Sequence, residues 1–189
     1  MDKQTEEILQ KIEEAEYVLV GLGQEFDMEF FLQSREDYRR IREQLQQQNV
    51  LWLLPYVEAQ FRKQYMPEME AEIEKGLQKL AKVLEKKSYF VVSSSMNHKL
   101  AEVPWKKMLL KKERFVAPCG DWTKKQCPDG CEEGIQTVTE ADEEQLQESF
   151  KKLQTNGFSV PDLGKCPKCG KKLVLNNVYA GRYDEKGYL

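Results

Sequence analysis

The chain has 189 residues, 40% of them hydrophobic and 32% charged, with a net charge of −3. That length can bury one sizeable core with room for a small satellite module, and the composition is that of a polar globular protein, not a disordered one. The negative balance disfavours nucleic acid as a partner, and no apolar run approaches the roughly 20 residues that span a bilayer, so no membrane partner is expected.

Residues 3–15 place Ile8, Leu9 and Ile12 on one face among Glu, Gln and Lys, which predicts an amphipathic helix. Residues 1–7 are helix-like and lack the apolar stretch of a signal peptide. The run Tyr17-Val18-Leu19-Val20-Gly21-Leu22-Gly23 is continuously apolar and ends in glycines, predicting a strand buried on both faces of a parallel sheet. Helical character returns over residues 28–48. Val50-Leu51-Trp52-Leu53-Leu54 reads as a second buried strand, stopped by Pro55. Residues 56–86 read as one or two helices with a break at Pro67. Tyr89-Phe90-Val91-Val92-Ser93-Ser94-Ser95 is a third strand, and Arg114-Phe115-Val116-Ala117 a short fourth.

Strands separated by helices predict an α/β protein with a doubly wound, Rossmann-like parallel sheet. Ligands of such sheets sit beyond the carboxyl ends of the strands, here residues 21–26, 93–98 and 119–121. Residues 121–178 break the rhythm, with an acidic helix over 140–153 and a hairpin-like Lys172-Leu173-Val174-Leu175.

Four cysteines lie in this stretch: Cys127 and Cys131, a 34-residue gap, then Cys166-Pro167-Lys168-Cys169-Gly170. Tetrahedral Zn²⁺ takes four thiolates, and two short-spaced pairs each supply two from one tight turn. A closed four-cysteine site implies a structural ion, not a catalytic one. Lys165, Lys168, Lys171 and Lys172 flank one pair, and Lys124 and Lys125 precede the other, where ammonium groups favour thiolates. Reduced thiols, or a metal-free redox Cys-x-x-Cys, are the competing readings, and the second pair has no part in the redox one. Five cysteines, an odd number with four in metal-like spacing, suit a reducing compartment, so the cytoplasm is expected.

Elsewhere the signals are weaker. Gly21-Leu22-Gly23 is half of a phosphate-binding loop, but Phe26 stands where a third glycine belongs, and Glu25, Asp27 and Glu29 add negative charge. A plain tight turn is the competing reading. His98 is the single histidine and has no paired nucleophile. Cys119 follows the fourth strand, as a packing thiol or as part of a strand-end site. Trp52 reads as core, with Trp105 and Trp122 as candidate stacking platforms. Lys106, Lys107, Lys111 and Lys112 read as solvated surface.

Taken in order, these stretches resemble the sirtuin family of NAD-dependent protein deacylases and ADP-ribosyltransferases, in particular a divergent bacterial branch. Residues 14–23 look like the family's first strand and G-A-G loop, and residues 89–97 fall where it carries a strand and T-Q-N-x-D. Cys119-Gly120 occupies the place of the catalytic H-G, eight residues before the first zinc cysteine, and the two cysteine pairs match the zinc module. The resemblance implies an NAD site with Gly21 and Gly23 on the diphosphate side and Ser95, Asn97 and Cys119 at the reactive end. It also implies an acylated or ADP-ribosylated protein substrate. The chain departs from the pattern at Cys119, Ser95, Asn97 and Gln24-Glu25-Phe26-Asp27. Catalysis is therefore expected to be weakened or lost, with a non-catalytic zinc-stabilised interaction module as the alternative. The family core would continue past Leu189. The expected organisation is thus an incomplete core over residues 1–120, a zinc module over 121–178, and a return to the core from 179 to 189. An incomplete sheet also favours association with a partner or with itself through its open edge.

Overall fold

The computed structural model describes residues 3–96 and 114–180; Asn97, His98, Trp105 and the lysines at 106–112 lie outside them. The first helix, α1 (Lys3–Glu14), has no buried residue and reaches the body through Lys87, whose Nζ donates to the Glu13 and Ala15 carbonyls at 2.5 and 3.3 Å. Three parallel strands follow as one sheet in chain order: β1 (Tyr17–Leu22), β2 (Ser88–Ser93) and β3 (Phe115–Val116). Val20 pairs with Val91, and Val91 with Phe115.

The connection between β1 and β2 is helical over most of its length. After a 3-10 turn at Gln24–Asp27 come α2 (Glu29–Gln33), α3 (Glu36–Gln47), a second 3-10 turn at Leu51–Leu53, α4 (Leu54–Tyr65) and α5 (Pro67–Leu84). The expected break at Pro67 is present, because proline at a first helical position gives up an N–H that has no partner there anyway.

The strand expected over residues 50–54 is instead the 3-10 turn and the start of α4. Trp52, Leu53 and Leu54 are all buried in one cluster, and a continuous apolar run fits a helix start surrounded by core as well as a strand. Pro55 begins the helix and does not stop a strand. β1 also differs from expectation. Among the described strands it lies at the sheet edge, and its residues alternate, with Tyr17 72% and Leu19 75% exposed while Leu22 is buried. One face of the sheet packs on α5 through Leu22, Leu77, Leu84, Tyr89 and Val91.

The second half of the described chain is an antiparallel sheet in the order β5–β4–β6, from β4 (Gly120–Gln126), β5 (Gln136–Thr137) and β6 (Val174–Asn177). The helix α6 (Glu140–Gln154) falls where its acidic pattern places it. Its start is a capping box: Thr139 Oγ1 accepts from the Asp142 N–H, and Asp142 accepts from the Thr139 N–H at 2.8 Å. Sequence reading missed β4 and β5; β4 carries Trp122 inward, edge-to-face on Tyr56 at 5.3 Å, so this indole is core and not a stacking platform.

This half shares a core with α3 and α4. Trp122, Leu146, Phe150, Leu163 and Leu175 lie in one buried cluster with Tyr38, Ile41, Leu45 and Phe61. Phe61 sits at its centre, with ring centroids 5.6 Å from Tyr38 and 5.7 Å from Phe150. Phe61→Ala leaves a cavity touching α3, α4 and α6, and should lower stability by about 3–5 kcal/mol in a denaturant titration. A loss under about 1 kcal/mol would mean that the halves do not share this core.

Candidate functional site

The four cysteines come from two turns. Cys127 directly follows β4, and the Gly130 N–H donates back to the Cys127 carbonyl at 2.9 Å. Cys166 begins the second turn, closed by Gly170 N–H to Cys166 O at 2.9 Å and Cys166 N–H to Lys171 O at 2.8 Å. Gly170 adopts φ +74°, the left-handed backbone that lets the chain curl behind Cys169. Gly134 is needed for a different reason: a Cβ there would come within 2.5 Å of Cys127 Cβ.

These turns bring the four sulfurs within 4.8 Å of one another. Tetrahedral Zn–S bonds of about 2.3 Å separate sulfurs by about 3.8 Å, so the set fits such an ion with small adjustments, and the donor chemistry is that of a structural zinc site. Cys127 and Cys166 are buried, Cys131 is half-buried and Cys169 exposed. Burial opposes ionisation of Cys127, yet the backbone N–H groups of Cys131 and Asp129 bring its thiol down to about 7. Burial and the neighbouring sulfurs push Cys131 up to about 12. The Cys127 thiolate thus forms readily, and a divalent cation would be needed to ionise Cys131 at neutral pH.

The flanking lysines brace the site. Lys171 pairs with Asp129 at 2.7 Å and Lys168 with Glu133 at 3.4 Å, so each bridges the two turns. Lys125, expected to favour the thiolates, is buried elsewhere: its Nζ donates to both Asp142 carboxylate oxygens at 2.7 and 2.9 Å and to the Leu163 carbonyl at 2.8 Å.

Beyond the carboxyl ends of the parallel strands the structure gathers another set. Ser95, leaving β2, donates to Asp27 Oδ1 at 2.5 Å, and the Met96 N–H lies 3.4 Å from Oδ2. Cys119, between β3 and β4, stands close enough to Asp27 for burial, and then that carboxylate, to push its thiol above the usual value. The glycine pair does not join them. Gly21 sits within β1 opposite Val92, and Gly23 has extended backbone (φ −89°, ψ −178°) with the Glu25 carboxylate folded over it. Only a four-residue 3-10 turn follows, too short to present an array of N–H groups to a phosphate.

Sequence reading missed the polar network behind this end. Arg62, 1% exposed, donates through Nη1 to the Asp27 carbonyl at 3.0 Å and lies 3.4 Å from Glu70. One turn earlier, buried Glu58 accepts from the Tyr38 hydroxyl at 2.6 Å. The available signal was the recurrence of Leu54, Glu58, Phe61 and Arg62 on one face of α4, which puts two charges on an apolar stripe. Burial raises Glu58 to about 7, opposed by the Tyr38 hydroxyl and Arg62 and reinforced by Asp27 and Glu29.

No protein-family model matches this chain, and no curated protein matches it.

Native purification should yield about one zinc per chain by metal analysis, and Cys166→Ser should abolish it. Because Cys127 and Cys166 belong to the shared cluster, removing the metal with a chelator should also lower the stability of α3 and α4. Retention of full stability without metal would contradict a structural role.

Glu58 gives a pH signature. Its folded value lies above the ordinary 4.5, so its stabilisation is fully present below pH 4.5 and is lost as pH rises through about 7. Glu58→Gln should remove that fall, which is on the order of 3 kcal/mol at most. Denaturant midpoints measured from pH 5 to 8 for both proteins check this, and parallel profiles would contradict it.

Proposed function

We propose that this chain is a zinc-stabilised α/β scaffold of the sirtuin type whose NAD chemistry is weakened or lost. The parallel sheet, the helical connection between its first two strands and the four-cysteine cluster are compatible with that scaffold. The reading rests chiefly on one observation. Where the resemblance puts a catalytic histidine, this chain has Cys119, and its thiol is pushed up by burial and by Asp27. A general base must lose its proton near the working pH, and a thiol held protonated beside a carboxylate does so poorly.

The charge at the strand ends points the same way. Asp27 and Glu25 supply carboxylates where a diphosphate needs donors, and Arg62 is spent on the Asp27 carbonyl and Glu70. A zinc-stabilised interaction module is the second reading, favoured by Tyr17, Leu19 and Phe90, which stand 72%, 75% and 40% exposed on the β1–β2 surface. Parallel sheets are ordinarily covered on both faces.

Incubation with NAD separates these readings from an active deacylase or NAD-cleaving enzyme. The zinc-loaded protein should release nicotinamide no faster than a Cys119→Ser variant, and calorimetry should find NAD binding weak or absent. Rapid, Cys119-dependent nicotinamide release would overturn the proposal.

A further inference from the structure

The most exposed aromatic side chain among the described residues is Phe30, at 83%, and its neighbour Phe31 is 48% exposed. Their rings meet edge-to-face with centroids 5.7 Å apart on the short helix α2. Beside them an open depression of about 480 Å³ is lined by Glu25, Met28, Glu29, Phe30, Phe31 and Gln33. Single exposed apolar residues need no explanation, but an aromatic pair flanking a depression does.

The backbone that presents the pair is itself under constraint. Met28, which links the 3-10 turn to α2, adopts φ 55° and ψ 21° while its side chain is buried. A left-handed conformation in a residue other than glycine persists only when its surroundings enforce it, and such positions cluster at functional sites. Here the enforced turn directs α2 so that Leu32 is buried while Phe30 faces solvent.

Charge decides what fits. None of the described residues that line the depression is basic, and two of them are carboxylates. Glu29 is engaged by Arg42 at 2.7 Å and by Gln33 at 3.0 Å. Glu25 is exposed and has no side-chain partner among the described residues. Arg42 offsets Glu29, and Arg39 donates to the Gln33 carbonyl, so the uncompensated charge lining the depression is the Glu25 carboxylate, which favours a cationic group over an anionic lipid surface.

We propose that the Phe30–Phe31 face of α2 is a docking surface for a basic peptide segment of a protein partner. A lysine or arginine lays its alkyl stem along the phenyl rings and directs its cationic head toward Glu25. The surface requires no nucleotide at the strand ends, so it stands or falls independently of the reading above.

The test uses three fluorescein-labelled peptides of equal length and leucine content, with lysine, glutamine or glutamate at the remaining positions. Anisotropy titrations of the zinc-loaded chain should show the lysine peptide binding at least about tenfold more tightly than the glutamate peptide, because like charges exclude the latter. Phe30→Ser should weaken the lysine peptide about tenfold, as loss of an aromatic anchor does, with zinc content and circular dichroism unchanged. Glu25→Gln should weaken it several-fold at low salt, and the effect should shrink at high salt. Equal binding of all three peptides, no binding of the lysine peptide at millimolar protein, or insensitivity to Phe30→Ser would overturn the proposal. So would Phe30-dependent self-association of the chain alone in sedimentation, which would assign the surface to a second copy.

Discussion

Everything in the cysteine-bearing half depends on gathering two turns that lie 34 residues apart in the chain. Cys127 and Cys166 are not appended to a finished domain. Their side chains are buried in the same cluster as Leu45 and Phe61, so the site closes part of the main core. The sheet that carries them is small: β5 contributes two residues and β6 four. Strands this short gain little from pairing alone, and a metal tie between the turns would replace the area they cannot bury. The lysine–carboxylate pairs outside the sulfurs then add orientation to the turns and little energy, since such exposed pairs contribute no more than about 1 kcal/mol each.

The legible parts of the sequence were those where one local pattern sufficed. The acidic α6 with its Thr139 cap, the break at Pro67 and the cysteine spacing are each fixed within a few residues. Residues 50–54 were misread because periodicity is silent when every side chain is apolar, and only the tertiary surroundings choose helix over strand. β1 failed for a related reason. Its apolar run fits a buried strand, yet the described sheet leaves Tyr17 and Leu19 open. The polar cluster at the strand ends was half legible, since Ser95 and Cys119 follow β2 and β3 closely in the chain. Asp27, which meets Ser95 from 68 positions away, had only its charge to announce it.

The buried polar network gives the helical connection a specificity that apolar packing would not. Arg62 meets its partners only if the turn before α2 supplies the Asp27 carbonyl and α5 supplies Glu70. Glu58 needs the Tyr38 hydroxyl from α3. A misdocked helix would strand one of these groups in a low-dielectric interior, where an unpaired charge costs far more than the pair returns. The same network reaches the strand ends through Asp27, so helical packing and the polarity of that crevice are set together.

Asp142 has two duties at once, as counter-ion to Lys125 and as acceptor for the Thr139 N–H at the start of α6. The alignment of β4 and the first turn of α6 therefore report on each other. A one-residue slip of β4 would swing Lys125 to the opposite face and leave the carboxylate buried without its cation. Exchanging the two residues would restore the opposite charges but not the cap, because an ammonium group has no lone pair to offer a backbone N–H. Evolution can thus vary this pair only in one polarity, and a mutational scan should see positions 125 and 142 as a directional couple instead of a reversible one.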